Sequence, residues 1–453
     1  MSDIIAAVST GRVVSAIGIV RLSGPGCIPL AFSVFTPRGA ATAETVPDRQ
    51  LILGQLRDSR GRVIDEAMLT VSRGPHSYTG EDTAEFHCHG SPAVLAAALE
   101  ALFARGARQA GPGEFTKRAF LNGRMDLSQA EAVIDLIEAE SAEAAANAAG
   151  QLGGAMARRI DPIYDRLTDI MAHFHAVLDY PDEDIDPFVL SDLRGNLTRD
   201  MDALRAILRT YGRGQVLRRG IRAVILGKPN AGKSSLLNAL AGYDRVIVTD
   251  IAGTTRDTVE ESVKVGRHLL RLLDTAGIRD TADEIERQGV LRAEAAARDA
   301  DLAIYVCDSA VPLTEEDLRA QDAALEAPAA VAILNKQDLP PVVEPSDLPF
   351  EWIIPVSAKT GEGLSQLEDA LDVLFPDETP SDGSILTNAR QAAAVARAVE
   401  ALERTVQGLD DAMTPDAVLT DVEAALEALG EITGKSMREE IVSRIFSRFC
   451  VGK

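Results

Sequence analysis

Eight consecutive residues, Gly227-Lys228-Pro229-Asn230-Ala231-Gly232-Lys233-Ser234, fit the spacing G-x-x-x-x-G-K-[ST]. Glycines at the two ends let backbone N–H groups wrap a phosphate chain, Lys233 reaches the outer phosphates, and Ser234 offers a hydroxyl to Mg²⁺. Ser235 follows in the same turn. Downstream, Asn335-Lys336-Gln337-Asp338 and Ser357-Ala358-Lys359 each end an apolar run. An aspartate carboxylate accepts both the ring N–H and the exocyclic amine of guanine, and adenine offers no matching donors. Pairs of that kind discriminate by ~10⁴ or more. Either short motif alone reads equally well as a surface turn, but their order after a phosphate loop points to GTP. Asp274-Thr275-Ala276-Gly277 supplies a second carboxylate on the metal side and a glycine N–H for the γ-phosphate. Between it and the loop lies Thr249-Asp250-Ile251-Ala252-Gly253-Thr254-Thr255-Arg256-Asp257, with Thr255 expected on Mg²⁺.

The elements that must hold these groups alternate in type. Ile221–Leu226, Leu269–Leu273, Leu302–Cys307, Ala330–Leu334 and Trp352–Val356 are short apolar runs separated by helical stretches such as Lys233–Ala241 and Val290–Arg298. That pattern predicts a largely parallel sheet covered by helices, a Ras-like α/β domain over residues 216–378. Both flanks read as helical. Residues 119–215 and 379–453 carry Ala-, Glu- and Leu-rich amphipathic stretches with few breakers, so one helical domain interrupted by an insert is the simplest account. The first 118 residues mix short strands (Ile17–Leu22, Ala67–Val71, Ala84–Cys88) with a helix near Pro92–Arg105, an α+β segment. The expected fold class is therefore multidomain: N-terminal α+β, all-α helical, and an inserted P-loop GTPase domain.

Composition bounds the partners. The chain has 453 residues, 46% hydrophobic and 25% charged, as in ordinary globular proteins. Its 46 Lys+Arg against 69 Asp+Glu give a net charge of −23, which opposes general adhesion to nucleic-acid phosphates or anionic membranes. The first 118 residues are nearly neutral, so a nucleic-acid partner needs a local basic site or a second protein. No apolar run reaches the ~18 residues of a membrane helix. Four scattered cysteines with no CxxC pair fit a reducing compartment, and a cytoplasmic location is expected. In His87-Cys88-His89, strand alternation sends neighbouring side chains to opposite faces, so three zinc ligands cannot converge. Cys450, beside Ile445, Phe446 and Phe449, reads as a core cysteine more readily than as a nucleophile.

The stretches N-A-G-K-S-S, T-D-I-A-G-T-T-R-D and D-T-A-G are similar to those of the TrmE–Era–EngA group of GTPases. Gly18–Gly24, Tyr78–Asp82, His87–Pro92, Pro112–Thr116, Arg118–Arg124, Asp179–Ile185 and the ending Cys450-Val451-Gly452-Lys453 resemble the MnmE (TrmE) family, in order and over nearly the whole chain. The resemblance implies an N-terminal domain that forms a homodimer and binds 5-formyl- or 5,10-methylene-tetrahydrofolate. It also implies a potassium-dependent GTPase whose hydrolysis drives G-domain pairing. With MnmG, an FAD-containing flavoprotein, in a heterotetramer, such proteins install a carboxymethylaminomethyl or aminomethyl group at C5 of the tRNA wobble uridine. By matching positions, Arg21, Glu85, Arg124 and Lys453 are the folate residues; many relatives have lysine where Arg124 stands. Asn230 and the Thr249, Ile251 and Thr254 region are the K⁺ ligands. Ile278 occupies the place of the water-positioning Gln of Ras-type enzymes, and an aliphatic side chain cannot orient water. A cation held by Asn230 is one solution, and Glu286 is the expected catalytic residue holding the attacking water. Glu286 read without the resemblance is a solvated helix charge. The alternatives are a ribosome-assembly GTPase of the Era/Der type, which would need a KH domain or a second P-loop, and a nucleotide-gated scaffold with negligible turnover.

Overall fold

The computed structural model describes residues 3–11, 13–179, 190–243, 261–273, 297–376, 382–411, 413–436, 442, 445–447 and 449–452. The chain divides into two compact units, one of Met1–Ile137, Ala149–Arg205 and Ala393–Lys453, the other of Glu138–Ala148 and Ala206–Ala392. The first unit is thus interrupted in sequence by most of the second.

The first unit contains a seven-stranded sheet. Its strands are β1 (Ile5–Val8), β2 (Ser15–Ser23), β3 (Phe35–Pro37), β4 (Ile52–Arg57), β5 (Val63–Ser72), β6 (Thr83–Gly90) and β7 (Arg108–Gln109), in the order β3-β4-β5-β6-β2-β1-β7. All neighbours are antiparallel except β1 and β7. Alternation decides the faces. Val20, Leu22, Leu69, Ala84, Phe86 and Cys88 are buried with Leu95, Ala98 and Leu102 of the helix Pro92–Phe103. Arg21, Glu85, His87 and His89 take the opposite side of β2 and β6, so Cys88 points away from both histidines. The helices of this unit show the 3.6-residue period. Met156, Ile160, Ile163, Leu167 and Ile170 are buried along Ala155–Asp179, and Val418, Val422, Ala425, Leu429 and Ile432 along Pro415–Thr433. The two helices pack together; each such fully buried aliphatic side chain contributes about 1.5–3 kcal/mol relative to exposure.

The second unit holds a six-stranded sheet: β8 (Ile221–Leu226), β9 (Glu261–Val265), β10 (His268–Leu272), β11 (Leu302–Asp308), β12 (Ala330–Asn335) and β13 (Trp352–Pro355), in the order β13-β12-β11-β8-β10-β9. Every pairing is parallel except that of β9 with β10. Ile221, Ala223 and Ile225 face one apolar layer, and Val224 and Leu226 the other with Tyr305 and Cys307. Burial on both faces explains why these strands read as unbroken apolar runs. The antiparallel edge strand β9 is absent from the sequence expectation; its Glu-Ser-Val-Lys-Val alternation buries Val263 and Val265 and leaves Ser262 and Lys264 partly exposed. The multidomain class read from the sequence is the one observed. Among the described residues, no helix is long and apolar enough to cross a membrane.

Candidate functional site

In the second unit, the phosphate-loop residues, Asn335-Lys336-Gln337-Asp338 and Ser357-Ala358-Lys359 all lie at the carboxyl ends of parallel strands, where open α/β sheets bind ligands. The turn after β8 is possible only with glycine at two places. Gly227 has φ +146°, and a Cβ there would stand 2.4 Å from the Val306 carbonyl oxygen. Gly232 has φ +102°, and its Cβ would stand 2.1 Å from Asn335 Nδ2. Asn230, at the tip, is itself left-handed with φ +62°, a conformation asparagine tolerates better than most residues. Lys233 opens the helix Lys233–Tyr243 and donates from Nζ to the carbonyls of Gly227 (2.6 Å) and Lys228 (2.9 Å). Burial holds its ammonium below the ordinary lysine range. Ser234 and Ser235 are exposed in the first turn of this helix.

The loops 335–338 and 357–359 are tied to this turn. Asn335 Nδ2 donates to the Ala231 carbonyl (2.9 Å), while its Oδ1 accepts from the Ala358 N–H (3.0 Å). One buried side chain therefore joins the phosphate loop and both base-side loops. Asp338 Oδ1 accepts from Ser357 Oγ at 2.9 Å, and that bond, with Lys359 Nζ 3.6 Å from Oδ2, holds the carboxyl below its usual range. Lys336, at φ +68°, pairs with Asp308 at 2.5 Å. Thr249, Asp250, Ile251, Ala252, Gly253, Thr254 and Thr255, then Asp274, Thr275, Ala276 and Gly277, Ile278 and Glu286 lie outside the described residues.

A second cluster lies within the first unit, on the outer face of the N-terminal sheet. Arg21 and Glu85 are register partners on β2 and β6, joined by Nε–Oε1 at 2.6 Å. The Arg21 guanidinium stands 5.6 Å from the Tyr78 ring centroid and 5.7 Å from that of Phe115, within cation–π reach of both. Tyr78 is fixed by a 2.9 Å bond between its hydroxyl and that of Thr116, and burial raises its phenol above the usual range. Arg124 donates from Nε to the Ser77 carbonyl at 3.1 Å and packs its stem where a Cβ on Gly80 would sit. His87 Nε2 lies 3.8 Å from Glu85 Oε2 and is buried without a hydrogen-bond partner. Cationic, carboxylate and aromatic groups beside an orphaned ring nitrogen suit a ligand that joins a hydrogen-bonding ring to an anionic tail, as a reduced folate does.

The chain's end closes on this sheet. Val451 bridges to Pro112, the Gly113 N–H donates to the Cys450 carbonyl (3.2 Å), and Ser9 Oγ donates to the Gly452 carbonyl (2.9 Å). Lys453 itself is outside the described residues. Cys450 is exposed, against the expectation of a core cysteine: the chain has left the helix there, and it is Phe446 and Phe449 that turn inward onto Leu127 and Val133. Tyr78, Phe115 and His87 were not singled out as site residues from sequence, although each lies inside a stretch that carries the resemblance: Tyr78–Asp82, Pro112–Thr116 and His87–Pro92.

Strand-end loops that pair a phosphate-binding turn with an Asn/Asp base reader define a P-loop guanine-nucleotide-binding protein. Comparison with known proteins narrows this class. A family model described as the MnmE helical domain matches residues 127–450, and one described as GTP-binding protein TrmE N-terminus matches residues 4–124. The tRNA modification GTPase MnmE of Roseiflexus sp. (strain RS-1) is 41% identical over 464 residues, covering 100% of this chain and 99% of that protein. Those of Streptococcus thermophilus (41%, 100% and 98%) and Akkermansia muciniphila (44%, 99% and 98%) are similar throughout. The chain belongs to the MnmE family of tRNA modification GTPases. It is a GTP-hydrolysing enzyme of tRNA modification.

Proposed function

We propose that the protein acts with a flavoprotein of the MnmG type to modify C5 of the wobble uridine of certain tRNAs, in the cytoplasm, as a homodimer that uses a reduced folate as one-carbon donor. The observation that supports this reading most directly is similarity to tRNA modification GTPases from end to end, including the N-terminal and C-terminal segments that simpler GTPases would not share. Residues 1–118 would be the folate-binding and dimerisation domain, 119–215 with 379–453 the helical domain, and 216–378 the GTPase domain.

In the GTPase domain, backbone N–H groups of 230–235 would cradle the phosphates, with Lys233 neutralising charge that develops on the outer ones. Ser234 and Thr255 would hold Mg²⁺, which when bound neutralises phosphate charge. Asn230, Thr249, Ile251 and Thr254 would hold K⁺ at the place another enzyme fills with an arginine. Glu286 would orient the attacking water. Asp338, kept ionised by Ser357, would read guanine. In the N-terminal domain Glu85 would accept from the pterin, while Arg21, Arg124 and Lys453 would face the anionic tail.

The test is mass spectrometry of tRNA nucleosides from a deletion strain complemented with the wild type or with Lys233→Ala. Wobble-uridine modification restored by the wild type alone is the expected result. Nucleosides unchanged by the deletion would overturn the reading in favour of ribosome assembly.

A further inference from the structure

Lys228, the second residue of the phosphate loop, does not point at the nucleotide position. Its Nζ donates to Asp317 Oδ2 at 2.7 Å, with side chains only 12% and 0% exposed. The same carboxylate oxygen accepts from the N–H and the hydroxyl of Thr314, both at 2.8 Å, in the capping box that starts the helix Glu315–Ala324. Its other oxygen faces the Tyr305 hydroxyl at 3.4 Å, and Tyr305 is stacked on Phe350 with ring centroids 5.4 Å apart. Asp317 is thus fixed by its own helix cap and by a core aromatic before Lys228 reaches it. Burial by itself would raise the carboxyl; the bonds from Lys228 and Thr314 outweigh it and hold it below the ordinary aspartate range.

What Lys228 does with its backbone gives this pair a consequence. Its carbonyl accepts from Lys233 Nζ at 2.9 Å and from the Ala231 N–H at 3.3 Å. One residue therefore anchors its ammonium in the core and holds the phosphate-binding lysine with its carbonyl. Asn335 fixes the far side of the loop through Ala231.

We propose that Lys228 and Asp317 form a positioning pair that sets the height of the phosphate loop and pre-aims Lys233, without touching the nucleotide. The pair rests on the reading of residues 227–234 as the phosphate loop.

Steady-state GTP hydrolysis and thermal melting of Lys228→Met, Asp317→Asn, the double variant and Lys228→Arg test it. The Asp317→Asn substitution keeps an acceptor for Thr314, so the helix cap survives. Each single variant leaves one buried charge or polar group unpaired and loses melting temperature. The double variant removes both charges and regains most of it. If the pair positions the loop, the KM for GTP is raised about tenfold or more in both singles and stays raised in the double. In that case kcat falls less than KM rises, and Lys228→Arg restores KM. A KM that returns to normal together with the melting temperature in the double overturns the proposal and leaves a purely structural ion pair. Unchanged KM in the singles overturns it as well. Lys233→Ala serves as the separate control: if that variant hydrolyses GTP normally, it is the phosphate-loop reading that has failed, not the pairing.

Discussion

The amide nitrogen of Asn335 lies 2.9 Å from the carbonyl oxygen of Ala231, a residue 104 positions earlier in the chain. The same side chain accepts from the Ala358 N–H. The phosphate loop and the strand-end loop proposed to read the base therefore share one buried amide, and a substitution there is expected to disturb both. Asn335→Ala strands the Ala358 N–H and frees the loop at Ala231. Loss of a buried hydrogen-bonding group at two places predicts nucleotide affinity at least about tenfold weaker, read by fluorescent GDP titration. An affinity unchanged by the substitution would make the two contacts incidental.

Gly232→Ala tests the same contact from the other side. Its Cβ would stand 2.1 Å from Asn335 Nδ2 at a backbone φ of +102°, so the loop cannot relax without breaking the Asn335 bond. Nucleotide binding is expected to be lost while the N-terminal unit keeps its own fold. Retained binding, measured by the same titration, would show that the loop has room the structure does not display.

Hydrolysis is expected to depend on potassium. Asn230 stands at the loop tip in a left-handed conformation with φ +62°, and Ile278 cannot orient water. Rates in KCl should exceed those in NaCl by about tenfold or more, given what one electrostatic contact to a developing charge is worth. Equal rates would remove the cation from the reaction. In KCl, Glu286→Ala should lose about 10²-fold or more in hydrolysis with GTP binding kept; loss of both would make Glu286 a structural residue.

The legibility of these sites followed sequence distance. Residues 227–234 announce themselves because the residue types a phosphate loop needs stand next to one another in sequence, although the contacts that hold the loop in place, to Val306, Asp317 and Asn335, are distant ones; the apolar runs around them follow from burial on both faces of a parallel sheet. The pair Lys228–Asp317 was invisible, since a lysine in a glycine-rich turn and an aspartate in a helix cap each look complete alone. Strand β9 was missed for a related reason: an edge strand buries one face only, and Glu261-Ser262-Val263-Lys264-Val265 is too short for its alternation to stand out. Arg21 and Glu85 were reached through resemblance, yet the rings of Tyr78 and Phe115 around Arg21 needed the three-dimensional register. Cys450 was misplaced because aromatic neighbours suggest a core, whereas the chain leaves the helix after Phe446 and turns the thiol outward.

Acid should loosen the N-terminal unit in a defined window. Burial pushes the Glu114 carboxyl up, but the Arg108 guanidinium at 2.5 Å, the Gly111 N–H at 2.8 Å and Arg118 at 3.1 Å outweigh it and bring it from 4.5 to about 2. A carboxyl depressed on folding contributes stability that is fully present above its unfolded value and is lost as pH falls through the folded one. Melting temperature should therefore decline between about pH 4.5 and pH 2, and Glu114→Gln should flatten that decline while lowering stability at neutral pH. A profile unchanged by the substitution would place the acid sensitivity elsewhere.

The docked C-terminus offers a test of the folate reading that leaves Arg21 and Glu85 intact. Gly452 has φ +106°, and a Cβ there would stand 2.1 Å from the carbonyl oxygen of Val8, the last residue of β1 in the N-terminal sheet. Gly452→Ala cannot keep the bridge of Val451 to Pro112 or the bond from Ser9. The segment that leads to Lys453 then loses its anchors while the sheet keeps its core. Folate binding by calorimetry should weaken in Gly452→Ala and in Arg21→Ala, with GTP hydrolysis in KCl close to wild type in both. If Gly452→Ala binds folate normally, the C-terminal lysine is not part of the site. If Arg21→Ala does so as well, the Arg21–Glu85 cluster serves some other ligand.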